Sequence, residues 1–129
     1  MTPQEMRRRT HRFALDALRF YKQLPRTDPA DFIGRQLLRS GTSVGANYRA
    51  VCRSRSDAEF IAKLGLVIEE SDETAFWLEI LVEAELVPAQ RINQLHREAD
   101  ELTRIFVKSR ETARQNARAR AEARARKGR

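Results

Sequence analysis

The stretch that decides the fold is Arg39–Leu81, which reads RSGTSVGANYRAVCRSRSDAEFIAKLGLVIEESDETAFWLEIL. Its small and polar residues fall at helical core positions, because Ser40 and Asn47 share one seam with apolar residues at alternating spacings of four and three. Beside this seam runs a second one, made of Gly41, Gly45, Tyr48 and Cys52. A Gly inside a helix costs about 1 kcal/mol relative to Ala, so we expect a packing gain from close approach of another helix.

Two residues of this stretch are candidates for a role in assembly. Asn47 is expected either to fix register or assembly, as one buried Asn does in coiled coils, or to bond a neighbouring backbone carbonyl. Phe76 and Trp77 are adjacent, so they cannot both point into one bundle core. We expect one of this pair, with Trp77 as the candidate, to meet another subunit; the alternative is cover by long side chains of the same chain.

The rest of the chain is helical in character on both sides of this stretch. Only five Gly and four Pro occur among 129 residues that are rich in Ala, Leu, Glu and Arg, which lose little rotamer freedom in a helix. Apolar residues recur with helical spacing in four segments, near residues 10–24, 29–53, 56–86 and 88–106. Short connections between them predict an all-α fold, an antiparallel up-and-down four-helix bundle, as one domain of residues 1–108.

Local signals mark the expected helix ends. Pro25 ends the first segment, and Asp28 is the expected N-cap of the second. Ser56 and Glu59 have the spacing of a capping box at the start of the third segment. Pro88 suits the first turn of the fourth.

Charge is distributed very unevenly along the chain. Residues 107–129 hold nine Lys and Arg against two Glu, which accounts for the whole net charge of +7. We expect residues 109–129 to be a polar, Arg- and Ala-rich C-terminal extension, either helical or disordered, because the apolar seam ends at Phe106.

Clustered arginines neutralise phosphates, so the two basic termini predict contact with RNA or DNA backbones. An incidental basic end is the alternative. The predicted contact residues are Arg7, Arg8, Arg9, Arg12, Arg110, Arg114, Arg118, Arg120, Arg124, Arg126, Lys127 and Arg129.

The sequence contains no pattern that supports catalysis. Glu69, Asp72 and Glu73 lie within one helical turn, but neither His11 nor His96 has the Glu-x-x-His spacing of di-iron bundles. No phosphate loop, dinucleotide fingerprint or combination of nucleophile and base is recognisable. We therefore expect a protein that is not an enzyme and has no metal or cofactor, with these carboxylates on a solvated or salt-bridged face.

The sequence lacks a membrane-spanning run and a signal peptide, which indicates its compartment. Its apolar runs are only a few residues long, against the roughly 20 that cross a bilayer, and the N-terminus has no apolar signal core. Cys52 is the only cysteine, so an intrachain disulfide is excluded, and a small buried thiol is expected. We predict a soluble, cytoplasmic protein with no membrane partner.

Several motifs of the opening stretch resemble the bacterial "four helix bundle protein" family, first noticed as reading frames in intervening sequences of 23S rRNA genes. The matching motifs are Ser40–Arg49, Arg53–Ser56, Glu59–Leu64 and Glu73–Leu78. The match covers roughly residues 10–106 and leaves the tail outside. One departure is Ala50, where the family pattern usually has Glu.

This resemblance implies a bundle that assembles as a ring-like homopentamer, with no catalytic residues and no cofactor. A related branch, the accessory variability proteins of diversity-generating retroelements, forms a basic pentameric barrel that binds a reverse transcriptase and nucleic acid. The function expected is that of a non-enzymatic, homo-oligomeric, nucleic-acid-associated scaffold, and the resemblance to the related branch adds a reverse transcriptase as a candidate partner of this chain. The alternative is a structural protein–protein interaction module that uses Trp77 and the acidic face and has no nucleic-acid role.

Overall fold

The computed structural model describes residues 1–128; Arg129, one of the predicted phosphate contacts, lies outside them. Four helices follow one another: α1 Pro3–Lys22, α2 Ala30–Val51, α3 Asp57–Glu83 and α4 Ala89–Lys127. Helices adjacent in sequence pack side by side, and α1 approaches α4 less closely. The predicted all-α, up-and-down four-helix bundle is confirmed.

The apolar seams read from the sequence supply the core. Phe13, Leu37, Leu78 and Phe106 have at most 1% of their surface exposed. The seam predicted for the fourth segment is buried in full, at Ile92, Leu95, Ala99, Leu102 and Phe106. Removing these side chains from water is the main stabilising contribution to such a fold.

The first helix begins earlier than predicted, at Pro3 instead of near Thr10. The Thr2 hydroxyl accepts a hydrogen bond from the Glu5 N–H at 3.1 Å, and the Glu5 carboxylate accepts one from the Thr2 N–H. Pro3 fits the first turn because the N–H that it lacks would have no partner there. This capping box extends the helix over the Arg-rich N-terminus, where the apolar period is carried by the buried Met6 and Thr10.

Two of the predicted caps differ in detail. The N-cap position of α2 is Pro29, although the Asp28 carboxylate does accept a hydrogen bond from the Phe32 N–H at 3.1 Å. At α3, Ser56 is the N-cap as predicted, and its hydroxyl accepts from the Glu59 N–H at 3.1 Å. The Glu59 carboxylate does not reach back to the Ser56 N–H, so the predicted capping box is only half formed. It binds Lys63 at 2.6 Å instead, and this ion pair holds the pKa of Glu59 below its ordinary value.

The third helix ends at Glu83, three residues before the predicted limit near Leu86. Glu85 has a φ of 61°, in the left-handed region. The Leu86 N–H donates to the Leu81 carbonyl and the Glu85 N–H to the Val82 carbonyl, both at 2.9 Å. This pair of bonds is a Schellman motif, which reverses the chain before α4.

The two glycines of the opening stretch lie where α2 meets α1, and the helix continues through both. A Cβ added to Gly41 would lie 2.6 Å from the Ala17 Cβ, and one added to Gly45 would lie 3.1 Å from the Thr10 carbonyl oxygen. No side chain larger than hydrogen fits at Gly41 unless the helices move apart. The close approach therefore occurs within one chain.

Polar groups cross the core in two places. Ser40 is fully buried, and its hydroxyl accepts a hydrogen bond from the Thr74 hydroxyl of α3 at 2.8 Å. The Ser71 and Thr103 hydroxyls of α3 and α4 lie 2.8 Å apart. Asn47, predicted to lie on the core seam, is only half-buried, because the seam passes from Val44 to the buried Tyr48. The Ser40–Thr74 pair is thus the buried polar contact between α2 and α3.

Candidate nucleic-acid interface

The C-terminal extension is a continuation of α4. Residues 109–127 stay helical and span about 28 Å at the usual rise per residue. Along this helix, Arg110, Arg114, Arg118, Arg124 and Arg126 have no ion-pair partner among residues 1–128, nor has Lys127. Arg120 differs, because its guanidinium lies 2.6 Å from the Asp57 carboxylate at the start of α3. That pair ties the extension to α3, so Arg120 is engaged with a carboxylate and its predicted phosphate contact stays a prediction.

Among the N-terminal arginines, too, one is paired with carboxylates and the others are not. The Arg9 guanidinium donates two hydrogen bonds of 2.7 Å to the Glu98 carboxylate of α4 and lies 3.0 Å from Glu101. These carboxylates raise the pKa of Arg9 above its ordinary value. Such a bidentate pair is geometrically specific, and it joins α1 to α4. Arg9 is thus engaged with carboxylates, and its predicted phosphate contact stays a prediction.

Arg7, Arg8 and Arg12 remain, and they line a groove between α1 and α2 of about 730 Å³. His11 and Arg49 line the same groove, although neither was among the predicted contacts. Arg49 follows Gly45 by four residues and so lies on the side of α2 that faces α1. This spacing was the sequence signal that could have identified it. The four arginines have no carboxylate partner within residues 1–128.

The bundle as a whole is electrically polarised along its axis. A plane drawn beside the Ser71–Thr103 contact leaves residues 1–12, 44–70 and 104–128 on one side, the basic half, which holds 17 Lys and Arg against 7 Asp and Glu. The other side, residues 13–43 and 71–103, is the acidic half and holds 7 Lys and Arg against 11 Asp and Glu. The antiparallel helices bring the two termini of the chain and the α2–α3 connection to the same half.

The acidic carboxylates of α3 are engaged with basic side chains or exposed. Arg39 pairs with Glu70 at 3.3 Å and also with Glu73, and Glu79 lies 2.8 Å from His96. Within residues 1–128 there is no group of three His, Cys, Asp or Glu side chains placed to hold a metal ion. Cys52, expected to be buried, is exposed at the end of α2.

An aromatic cluster lies on the outer face of α2 and α3, in the acidic half. Trp77 is half-buried, and its indole N–H donates to Glu73 at 3.2 Å. The Phe32 and Phe76 rings are 6.3 Å and 4.9 Å from the Trp77 ring, and these two phenylalanines are 47% and 50% exposed. Phe76 and Phe32 are thus the exposed members of this aromatic patch, while Trp77 packs against the chain's own core.

The fold and these surfaces define a helical bundle with one strongly basic half. The chain belongs to the 23S rRNA-intervening sequence protein family, whose model matches residues 3–108. It is also similar to a crystal structure from Bacteroides thetaiotaomicron, described as a protein with unknown function from the S23 ribosomal protein family. That similarity has a TM-score of 0.79 and 29% sequence identity, and it covers 86% of this chain and 99% of the other.

No curated protein matches the chain by sequence. None of the helices in residues 1–128 combines the length and apolar character that a membrane span requires.

Proposed function

We propose that this protein is a non-enzymatic, homo-oligomeric scaffold that binds nucleic acid through its basic half. The observation that carries the proposal is the position of the unpaired arginines. Arg7, Arg8, Arg12 and Arg49 are held on rigid helices around one groove, and the arginines of the α4 extension project from the same half of the bundle. An arginine that is not engaged with a carboxylate is free to pair with a phosphate oxygen.

The chemistry of this surface favours binding without sequence preference. Arginine pairs with phosphate oxygens whatever the base, so these contacts give affinity and orientation but carry no sequence information. Binding should therefore weaken steeply with salt, because each phosphate contact releases a condensed counterion.

Assembly would multiply the effect of each basic half. The exposed rings of Phe32 and Phe76 make an apolar patch that a second copy can cover, and the resemblance to the four-helix-bundle family implies a pentameric ring. Linking several weak sites in one particle raises the effective concentration of the others after the first has bound. A ring would thus bind one long strand much more tightly than a single chain.

The experiment on nucleic acid is a salt titration by fluorescence anisotropy with labelled RNA and DNA. The full chain is compared with a variant in which Arg114, Arg118 and Arg124 are changed to Gln, a residue that keeps helix propensity. Loss of three contacts should reduce the slope of log affinity against log salt by about 2 for a single strand. Identical slopes for the two proteins would exclude a phosphate role for the extension.

The experiment on assembly is light scattering at micromolar concentration. Phe76→Asp places a charge in the aromatic patch and should lower the particle mass, whereas Phe76→Leu should keep it. A monomeric parent chain would contradict the oligomeric part of the proposal. Circular dichroism confirms that both variants are folded.

A second candidate function is a protein–protein interaction module, which the exposed aromatic patch within the acidic half favours. The partner would be a protein with a basic apolar surface, and a reverse transcriptase is the class that the resemblance to accessory variability proteins implies. In that case nucleic acid would not bind at low salt, and Phe76→Asp would abolish capture of the partner without changing the particle mass.

A further inference from the structure

A cleft opens at the end of the basic half, where α3 and α4 continue past α1 and α2. The Arg120–Asp57 contact places residue 120 of α4 beside the first turn of α3, while α2 has already ended at Val51. The space left under the α4 extension is a cleft of about 980 Å³. Its walls include the start of α1, the end of α2, the start of α3 and the middle of α4.

The lining of this cleft is aromatic and apolar. Tyr48, Phe60 and Phe106 line it, together with the aliphatic side chains of Met6 and Ile105. Tyr48 and Phe106 support each other, with ring centres 5.4 Å apart, and Phe60 is the ring that is only partly covered. The cleft therefore presents the Phe60 ring to a ligand, and the packed rings of Tyr48 and Phe106 lie beneath it.

Two basic side chains lie at this apolar lining, together with Asp57, which is paired with Arg120. Arg55 and Lys108 line the cleft and have no ion-pair partner among residues 1–128. Burial is the main cause that raises the pKa of Tyr48 to about 12, and the Cys52 thiol acts in the same direction, whereas the charge of Arg7 acts against it. The phenol thus stays neutral at physiological pH.

We propose that this cleft receives an unstacked base of a single-stranded nucleic acid whose phosphates are held by Arg55 and Lys108 at its rim. The inference rests on the proposed nucleic-acid binding and adds the class of ligand, a single strand. A polyanion with flat apolar groups fits a basic rim around aromatic rings, because the charges hold the backbone while a base stacks on Phe60. Bases of a duplex are already stacked and paired, so a duplex gains nothing from the cleft.

Polar side chains at the rim of the cleft can form hydrogen bonds with the edge of a base. Thr112 and Asn116 of the α4 extension line the same cleft as Phe60. An amide both donates and accepts hydrogen bonds, as base edges do. The α4 extension thus has a second role besides phosphate contact, because it forms one wall of the cleft.

The test compares four probes with the full chain at fixed salt: a single-stranded RNA, the DNA strand of the same sequence, the corresponding duplex, and an abasic strand of equal length. Phe60→Ala should weaken single-strand binding by about 5- to 140-fold and leave duplex and abasic-strand binding unchanged. Phe60→Tyr should restore the parent affinity. Leu66→Ala removes another exposed apolar side chain of α3 and serves as the matched control.

The outcomes separate this inference from the proposed function. If the parent chain binds none of the four probes, nucleic-acid binding itself is wrong. If it binds single strand, duplex and abasic strand with the same affinity, and Phe60→Ala changes none of them, the phosphate surface stands and base insertion is refuted. Equal weakening of all probes by Phe60→Ala, without rescue by Phe60→Tyr, would also refute insertion, because the effect would then be one of folding.

Discussion

Gly41→Ala tests the packing of α1 on α2 most sharply. The new Cβ would lie 2.6 Å from the Ala17 Cβ, about 1 Å inside the usual carbon–carbon contact distance. Neither methyl group can rotate away, because a Cβ position is fixed by its backbone, so the two helices must move apart. Overpacking of this kind costs about 1–3 kcal/mol, while Ala gains about 1 kcal/mol over Gly in helix propensity.

The expected net result is a loss of up to about 2 kcal/mol of unfolding free energy, because the overpacking cost equals or exceeds the gain in helix propensity. Urea unfolding followed by circular dichroism at fixed protein concentration measures it, because assembly makes apparent stability depend on concentration. The double variant Gly41→Ala with Ala17→Gly moves the methyl group to the other helix and removes the clash. It should be more stable than the sum of the two single changes by about 1 kcal/mol or more.

The close packing of α1 on α2 would be contradicted by the opposite behaviour of these variants. If Gly41→Ala is as stable as the parent chain or more so, with additive behaviour in the double variant, the close approach of α1 and α2 does not exist in solution. Gly45→Ala provides a graded comparison, because its added Cβ would approach the Thr10 carbonyl oxygen only to 3.1 Å. Its effect should be smaller than that of Gly41→Ala.

Three further changes test local structure by urea unfolding. Glu85→Gly should stabilise by about 1 kcal/mol, since Gly relieves the left-handed conformation; a loss would contradict the Schellman motif. Thr2→Ala should cost about 0.5–2 kcal/mol through the lost cap, whereas a neutral effect would mean a frayed N-terminus. Lys63→Gln should destabilise only above about pH 4.5, because the lowered pKa of Glu59 contributes stability that is lost on acidification; a pH-independent difference would contradict this pairing.

The fold was predictable because helical periodicity depends on the side chains of one helix at a time. The fourth seam, from Ile92 to Phe106, was read correctly for that reason. The burial of Asn47 was not predicted correctly. Alternating spacings of four and three repeat every 3.5 residues, whereas a straight helix repeats every 3.6, so the buried position falls at Tyr48 instead. The start of α1 at Pro3 was missed because the capping pair of Thr2 and Glu5 precedes a run of arginines.

The site was predictable only in outline. Clustered arginines are visible in the sequence, but their partners lie on other helices. Arg9 reaches Glu98, 89 residues away, and Arg120 reaches Asp57, 63 residues away. Arg49 of α2 joins the N-terminal arginines only because α1 and α2 form a groove that all of them line. Which arginines remain unpaired is therefore decided by tertiary structure.

Binding of nucleic acid by the basic half can be tested by the salt dependence of single-strand affinity for two variants of equal charge. One changes Arg8, Arg12 and Arg49 of the groove to Gln; the other changes Arg26, Arg35 and Arg39 of the acidic half to Gln. We expect the slope of log affinity against log salt to fall by about 2 for the first variant and to stay at the parent value for the second. Equal slopes for the two variants would contradict the account, because binding would then follow net charge and not the basic half.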